Sequence, residues 1–198
     1  VWYFKYMNSD LNKFRIFNKL KTVYRFAMAG DRHESSAEHS WGALILADLF
    51  MTMMEQNKSK IKLDRLKVYE LLMYHDVVEI ETGDIPLMPD LSHKNKSKNE
   101  HTASIILAKK LPDTLSLKYL KLFSEFQEHK TVESRFAKAI EAMEADIHEL
   151  DYKEDWKGWT EEFLKQEKEH LFDEFPELKK SFGELVVYLR ENGYFDVK

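Results

Sequence analysis

Apolar residues recur along most of the chain at the three- and four-residue spacing of an amphipathic helix, and no Asn-Gly or Asp-Gly turn separates two alternating runs. The pattern predicts an all-α fold, compact and built as a single domain, with helices over 11–28, 36–56, 64–81, 98–110, 114–129, 132–152, 160–173 and 177–192. Capping residues sharpen several of the starts. Ser35 with Glu38 and Ser97 with Glu100 have the spacing of a capping box, and Thr160 precedes two acidic first-turn residues. Gly193 is placed to close the last helix. The stretch from Gly83 to Asn99 carries two of the four prolines and a polar run from Ser92 onward, so it reads as a long loop between helices.

Composition narrows the class. With 198 residues, 43% hydrophobic and 13% aromatic, and only six glycines, the chain has the core-forming residues of one globular domain and too few turn formers for a disordered or many-turned all-β protein. The expected domain is 1–198, its core over about 20–151 and the helices of 152–198 packed on it. A net charge of −5 offers no global attraction to a nucleic-acid polymer or an anionic membrane, so an anionic ligand has to be held locally. The absence of cysteine removes disulfides, thiolate zinc sites and thiol nucleophiles together. The run Trp41 to Met54 is too short to span a bilayer and is interrupted by Asp48, and the opening Val-Trp-Tyr-Phe-Lys-Tyr lacks a secretory pattern, so a soluble, cytoplasmic protein is expected. The six residues before Met7 receive no function.

Polar groups interrupt the apolar patterning at two places. His39 shares a helical stripe with Ala43, Leu46 and Phe50, which turns its ring towards the core. Alone it reads as a core histidine bonded to backbone. In the third helix, however, His75-Asp76 follows Leu71, Leu72 and Met73, and Glu79 lies one turn after His75 on the same face. Burying an imidazole and carboxylates uncompensated is costly, and a divalent cation offsets that cost by accepting their lone pairs. A mixed His/carboxylate set suits Mn, Co, Fe, Ni or Zn better than an oxygen-only Ca or Mg cage.

The ordered set Ala37-Glu38-His39-Ser40, His75-Asp76-Val77-Val78-Glu79 and Gly83-Asp84-Ile85-Pro86, with an acidic helix after Phe136, resembles the HD-domain phosphohydrolases. Within them it is similar to the small helical branch of 5′-deoxynucleotidases and HD-domain-containing 2 proteins, over about Leu20 to Asp151. The resemblance implies one divalent metal held by two histidines and two acidic residues, with His39, His75 and Asp76 on the first three positions. The fourth position, usually Asp, falls on Glu141. Helical geometry leans the same way: Phe136, Ile140, Met143, Ile147 and Leu150 make a core stripe, Arg135, Lys138, Asp146 and Glu149 gather on a side that reads as solvated, and Glu141 lies between the small Ala137 and Ala145. Asp146 and Glu144 stand as alternatives.

The same resemblance makes Glu79 and Asp84 the catalytic acids that manage the protons of the attacking water and the ester oxygen. It makes Arg25 a fork for two phosphate oxygens. Lys94, Lys96 and Lys98 read as solvated surface, and His33, His93, His101, His129, His148 and His170 as structural or surface residues. Trp156, Trp159 and the helix over 177–192 read as packing or a subunit interface, and a homodimer is expected by family analogy. The implied function is a metal-dependent phosphohydrolase of small nucleotides, a 5′-nucleotidase releasing phosphate from (deoxy)nucleoside 5′-monophosphates. Hydrolysis of a nucleotide diester or pyrophosphate is the related alternative, and a degenerate scaffold, with Glu141 in the place of Asp, the non-enzymatic one.

Overall fold

In the computed structural model, which describes residues 9–88 and 96–196, the chain enters through α1 (Ser9–Phe14) and a 3-10 segment (Arg15–Thr22). It then folds into a hairpin of β1 (Tyr24–Ala29) and β2 (Arg32–Ser35), pairing Met28 with His33 and Ala29 with Arg32. The hairpin corrects the helix expected over 11–28. Its tight turn is made by Gly30, whose φ of +69° is a left-handed conformation that glycine adopts without a Cβ penalty.

Helix α2 (Ser36–Gln56) starts as the sequence predicts. Ser35 Oγ accepts the Glu38 N–H while the Glu38 carboxylate accepts the Ser35 N–H, so two donors of the first turn are satisfied reciprocally. Helix α3 (Arg65–Tyr74) is shorter than expected, because residues 75–78 turn out of the helix before α4 (Glu79–Thr82) begins. His75 and Asp76 therefore lie at a helix end. Five further helices follow: α5 (Lys96–Ala108), α6 (Asp113–Glu128), α7 (Val132–His148), α8 (Glu161–Lys168) and α9 (Pro176–Glu191). Short 3-10 segments at Glu149–Asp151, Lys153–Trp156 and Glu169–Phe172 link the last three. Thr160 caps α8 by accepting the Phe163 N–H, and Gly193 follows α9 with φ +66°. Ser97, expected at the cap, lies inside α5, which begins at Lys96. Residues 1–6, His93 and Lys94 lie outside the described residues.

The core sits where α2, α3 and α7 meet, and the small Ala43, Ala47 and Ala139 let the helices approach around Leu71, Leu72, Ile140 and Met143. The C-terminal elements close over this layer. Phe172 stacks on Phe182 with ring centroids 4.5 Å apart, and Trp156, Phe175 and Leu189 are fully buried. These aromatics thus belong to the core, the packing alternative of their two readings. The same coverage corrects the reading of α7: Asp146 is buried under α8, where Lys168 reaches it, whereas Ile147, expected in the core, is exposed. No helix among the described residues is long and apolar enough to cross a membrane.

Candidate metal centre

Two neighbouring helices deliver three ligand-type side chains to one point. His39 projects from the second turn of α2, and His75 and Asp76 from the turn that ends α3; all three are buried. The His39 Nδ1–H donates to Glu144 Oε2 at 2.5 Å, and the His75 Nδ1–H donates to the Leu72 carbonyl at 2.7 Å. A carboxylate and a carbonyl only accept, so each Nδ1 carries the proton and each Nε2 presents a lone pair. Those lone pairs face Asp76, at 3.9 Å from Oδ2 for His39 and 3.2 Å from Oδ1 for His75. Ligand atoms of the three residues lie within 4.8 Å of one another, and His39 Nε2, His75 Nε2 and Asp76 Oδ2 are buried without a hydrogen-bond partner. Three buried acceptor atoms converge without a hydrogen bond, the nearest cation being the Arg25 guanidinium 3.6 Å from Asp76 Oδ2, an arrangement unfavourable by itself and satisfied by a divalent cation.

Glu144 orients one of these ligands from behind. It reaches His39 because α2 and α7 touch at Gly42, where an added Cβ would lie 2.1 Å from Glu144 Oε1. Glu34 on β2 and His148 at the end of α7 stand beside Glu144, with ligand-type atoms of all three within 4.8 Å. His148 is anchored by its Nε2–H, which donates to the Met28 carbonyl at 2.7 Å. Arg25 is carried by β1 rather than by the first helix, and its guanidinium lies between Glu34, at 3.2 Å, and Asp76, at 3.6 Å. Burial opposes its charge, but Asp76, Asp84, Glu79 and Glu34 together hold it firmly protonated.

Arg25, His75, Asp76, Glu79, Asp84 and Glu141 line one cavity of about 550 Å³. Glu79 opens α4 and is nearly inaccessible, and the Ser36 hydroxyl donates to its Oε2 at 2.6 Å. Burial, with Asp76 and Asp84 close by, pushes its carboxyl up to about 9. Glu141 stands beside the three ligands, its Oε2 accepting from Lys138 Nζ at 2.8 Å. Burial works against its charge, but Lys138 and then His75 and His39 hold its carboxyl down at about 2. Asp146 does not line this cavity. Its Oδ1 accepts from Lys168 Nζ at 2.5 Å, so it is a buried ion-pair partner rather than a solvated residue.

The predicted residues Arg25, His75, Asp76, Glu79, Asp84 and Glu141 therefore share one chamber, with His39 completing the convergent trio. Reasoning from the pattern missed Ser36, Gly42 and the role of Glu144 as a partner of His39. Histidines 129 and 170, read as structural or surface residues, also line the cavity.

A model of the HD domain matches residues 17–179. The 5′-deoxynucleotidase HDDC2 of Xenopus laevis is 26% identical over 124 residues, covering 63% of this chain and 58% of that protein. The chain thus spans less than two thirds of the length of that relative. A 5′-deoxynucleotidase of Erwinia tasmaniensis is 28% identical over 153 residues, 74% of each chain. The crystal structure of a predicted metal-dependent phosphohydrolase from Magnetospirillum magnetotacticum superimposes with a TM-score of 0.78 over 94% of both chains at 24% identity, which establishes a shared fold. With the matched segment running from the 3-10 segment after α1 into α9, and with the His and His-Asp residues brought together within it, the chain belongs to the HD domain family.

Proposed function

We propose that this chain is a metal-dependent phosphohydrolase that releases phosphate from small nucleotides, with nucleoside 5′-monophosphates as substrates. The observation that carries the reading is the convergence of His39 Nε2, His75 Nε2 and Asp76 Oδ2, none with a hydrogen-bond partner, beside a cavity that His75, Asp76 and Arg25 line. The names of the Xenopus and Erwinia relatives support the nucleotide class.

His39, His75 and Asp76 would hold the cation, with Glu141 as fourth ligand once its carboxylate turns from Lys138. A divalent ion of the Mn, Co, Fe, Ni or Zn type supplies Lewis-acid polarisation of a phosphoryl oxygen. Arg25 takes two non-bridging phosphate oxygens, and the surrounding acids keep its guanidinium aimed at the cavity. Proton transfer falls to Glu79 and Asp84: one accepts the proton of the attacking water, and the other returns a proton to the departing ester oxygen. The whole chain acts as one domain, as a homodimer, in a cytoplasmic setting. Support for self-association comes from the outer face of α2, where Trp41, Ile45 and Leu49, spaced four residues apart, are 68%, 56% and 53% exposed.

The test is phosphate release from a panel of deoxy- and ribonucleotides by metal-stripped protein resupplied with single divalent ions. Turnover of 5′-monophosphates that returns only with the ion is expected. A folded, metal-loaded protein that cleaves none of them, or cleaves diesters alone, overturns the reading.

A further inference from the structure

The strand that carries Arg25 has β2 on one edge and no strand on the other among the described residues. A two-stranded hairpin is marginally stable by itself, and an open edge leaves backbone donors and acceptors to be satisfied elsewhere. Here three side chains from a single stretch, residues 148–155, take that edge. The Met28 N–H donates to Asp155 Oδ2 at 2.9 Å, and the Met28 carbonyl accepts from His148 Nε2–H at 2.7 Å. Two residues on, the Gly30 N–H donates to the Tyr152 hydroxyl at 2.7 Å. Residues two apart on a strand present their backbone groups to the same edge, so these bonds occupy the places that a third strand would fill.

The three side chains also support one another. The His148 and Tyr152 rings pack with centroids 5.4 Å apart, and Asp155 is buried. His148 Nδ1 then stands 3.8 Å from Glu34 Oε1, on the same carboxylate whose Oε2 lies 3.2 Å from Arg25 Nε. Arg25 has little else to fix it. Its Nε is buried without a hydrogen-bond partner, and its ion pairs to Glu34 and Asp76 do not set the direction of the fork. The placement of the guanidinium is inherited from the backbone of β1, three residues upstream of the clamped Met28.

We propose that His148, Tyr152 and Asp155 are positioning residues that aim Arg25 at the phosphate by holding β1 as a neighbouring strand would. The inference rests on the phosphohydrolase reading, which places the phosphate at Arg25. Misplacement of a binding group by about 1 Å is enough to spoil its contact with a reacting ligand. The metal trio comes from α2 and the turn after α3, not from the hairpin, so loosening the clamp separates phosphate affinity from metal affinity.

The deciding experiment is a double-mutant cycle on metal-loaded protein, read as calorimetric affinity for inorganic phosphate and as KM for dAMP. Asp155→Ala and Tyr152→Phe are each expected to weaken phosphate binding about five- to tenfold and to raise KM to match, with Mn affinity unchanged. Asp155→Asn, which keeps an acceptor for the Met28 N–H, is expected to retain wild-type values. In an Arg25→Ala background, Asp155→Ala should cost nothing further, because its effect passes through the absent guanidinium. Tyr152→Phe, which keeps the ring against His148, runs the same cycle if Asp155→Ala fails to fold. Undiminished phosphate affinity in the clamp variants, or an equal further loss without Arg25, overturns the clamp and leaves the phosphohydrolase reading standing. If no phosphate ester turns over, that reading fails and inorganic phosphate alone judges the clamp. Binding that falls in the clamp variants only when Arg25 is present supports it, and the absence of binding in wild type refutes it.

Discussion

His39 of α2 is oriented by Glu144 of α7, Nδ1 to Oε2 at 2.5 Å, and the contact exists because Gly42 leaves the carboxylate room. Replacing an interior helical glycine by alanine ordinarily gains about 1 kcal/mol in helix propensity. Here the new Cβ would fall 2.1 Å from Glu144 Oε1 and drive the carboxylate off the imidazole. Gly42→Ala and Glu144→Gln are therefore expected to weaken divalent-metal binding by about 10–100-fold while leaving the circular dichroism unchanged. Native affinity in both variants, measured by Mn or Co titration, would remove Glu144 from the support of the site.

Glu141 and Asp146 are separated by opposite behaviour. Asp146→Ala strands the Lys168 ammonium in a buried position, at a cost of about 3–5 kcal/mol, and should leave the metal stoichiometry intact. Glu141→Ala leaves only the partly exposed Lys138 without its partner, so stability changes little while metal affinity and turnover fall together. Urea unfolding and metal titration on the two variants check both halves; the reverse order would make Asp146 the ligand.

Much of this arrangement is legible in the chain itself, for physical reasons that also mark where legibility ends. His39 on an apolar stripe and His75-Asp76 after Leu71, Leu72 and Met73 signal a compensated polar centre, because helical spacing determines direction. The β1–β2 hairpin is hidden because the alternation of Tyr24, Phe26 and Met28 is short and lies in a run where Leu20, Val23 and Ala27 keep helical spacing. Asp146 was misread because one helix cannot report that another, α8, will cover its polar side and bring Lys168. Gly42 and Glu144 lie on different helices, and only their packing shows that one makes space for the other.

Ser36 is expected to act on turnover through Glu79. Its hydroxyl donates to Glu79 Oε2 at 2.6 Å in a buried setting, so Ser36→Ala frees the carboxyl to turn and leaves it without a donor. A fall in kcat of about tenfold, equivalent to about 1.4 kcal/mol, with little change in KM or metal content is the expected outcome. Rescue by Ser36→Thr separates the lost hydroxyl from a packing defect. Full activity in Ser36→Ala would show that Glu79 needs no such anchor.

The exposed face of α2 gives self-association a specific test. Trp41, Ile45 and Leu49 form a continuous apolar stripe, and Trp41→Glu places a charge at its most exposed position. Sedimentation should shift from a dimer mass to a monomer mass in that variant at equal concentration. A monomer in the unaltered protein across the concentration range disposes of the dimer.

The Glu149 carboxyl carries a stability signature that is independent of any substrate. Its folded-state value, raised by burial to about 8, lies above the ordinary carboxylate range, so between those limits the native state binds a proton that the unfolded chain has released. The unfolded state binds fewer protons there, and this group's contribution therefore falls as pH rises, reaching its full loss once pH exceeds the folded value. Glu149→Gln removes the titration and keeps the shape. The melting temperature of the variant relative to wild type should accordingly climb between the ordinary carboxylate range and about pH 8, then level off above it. A difference that stays constant across the range would mean that Glu149 is ionised in the folded protein.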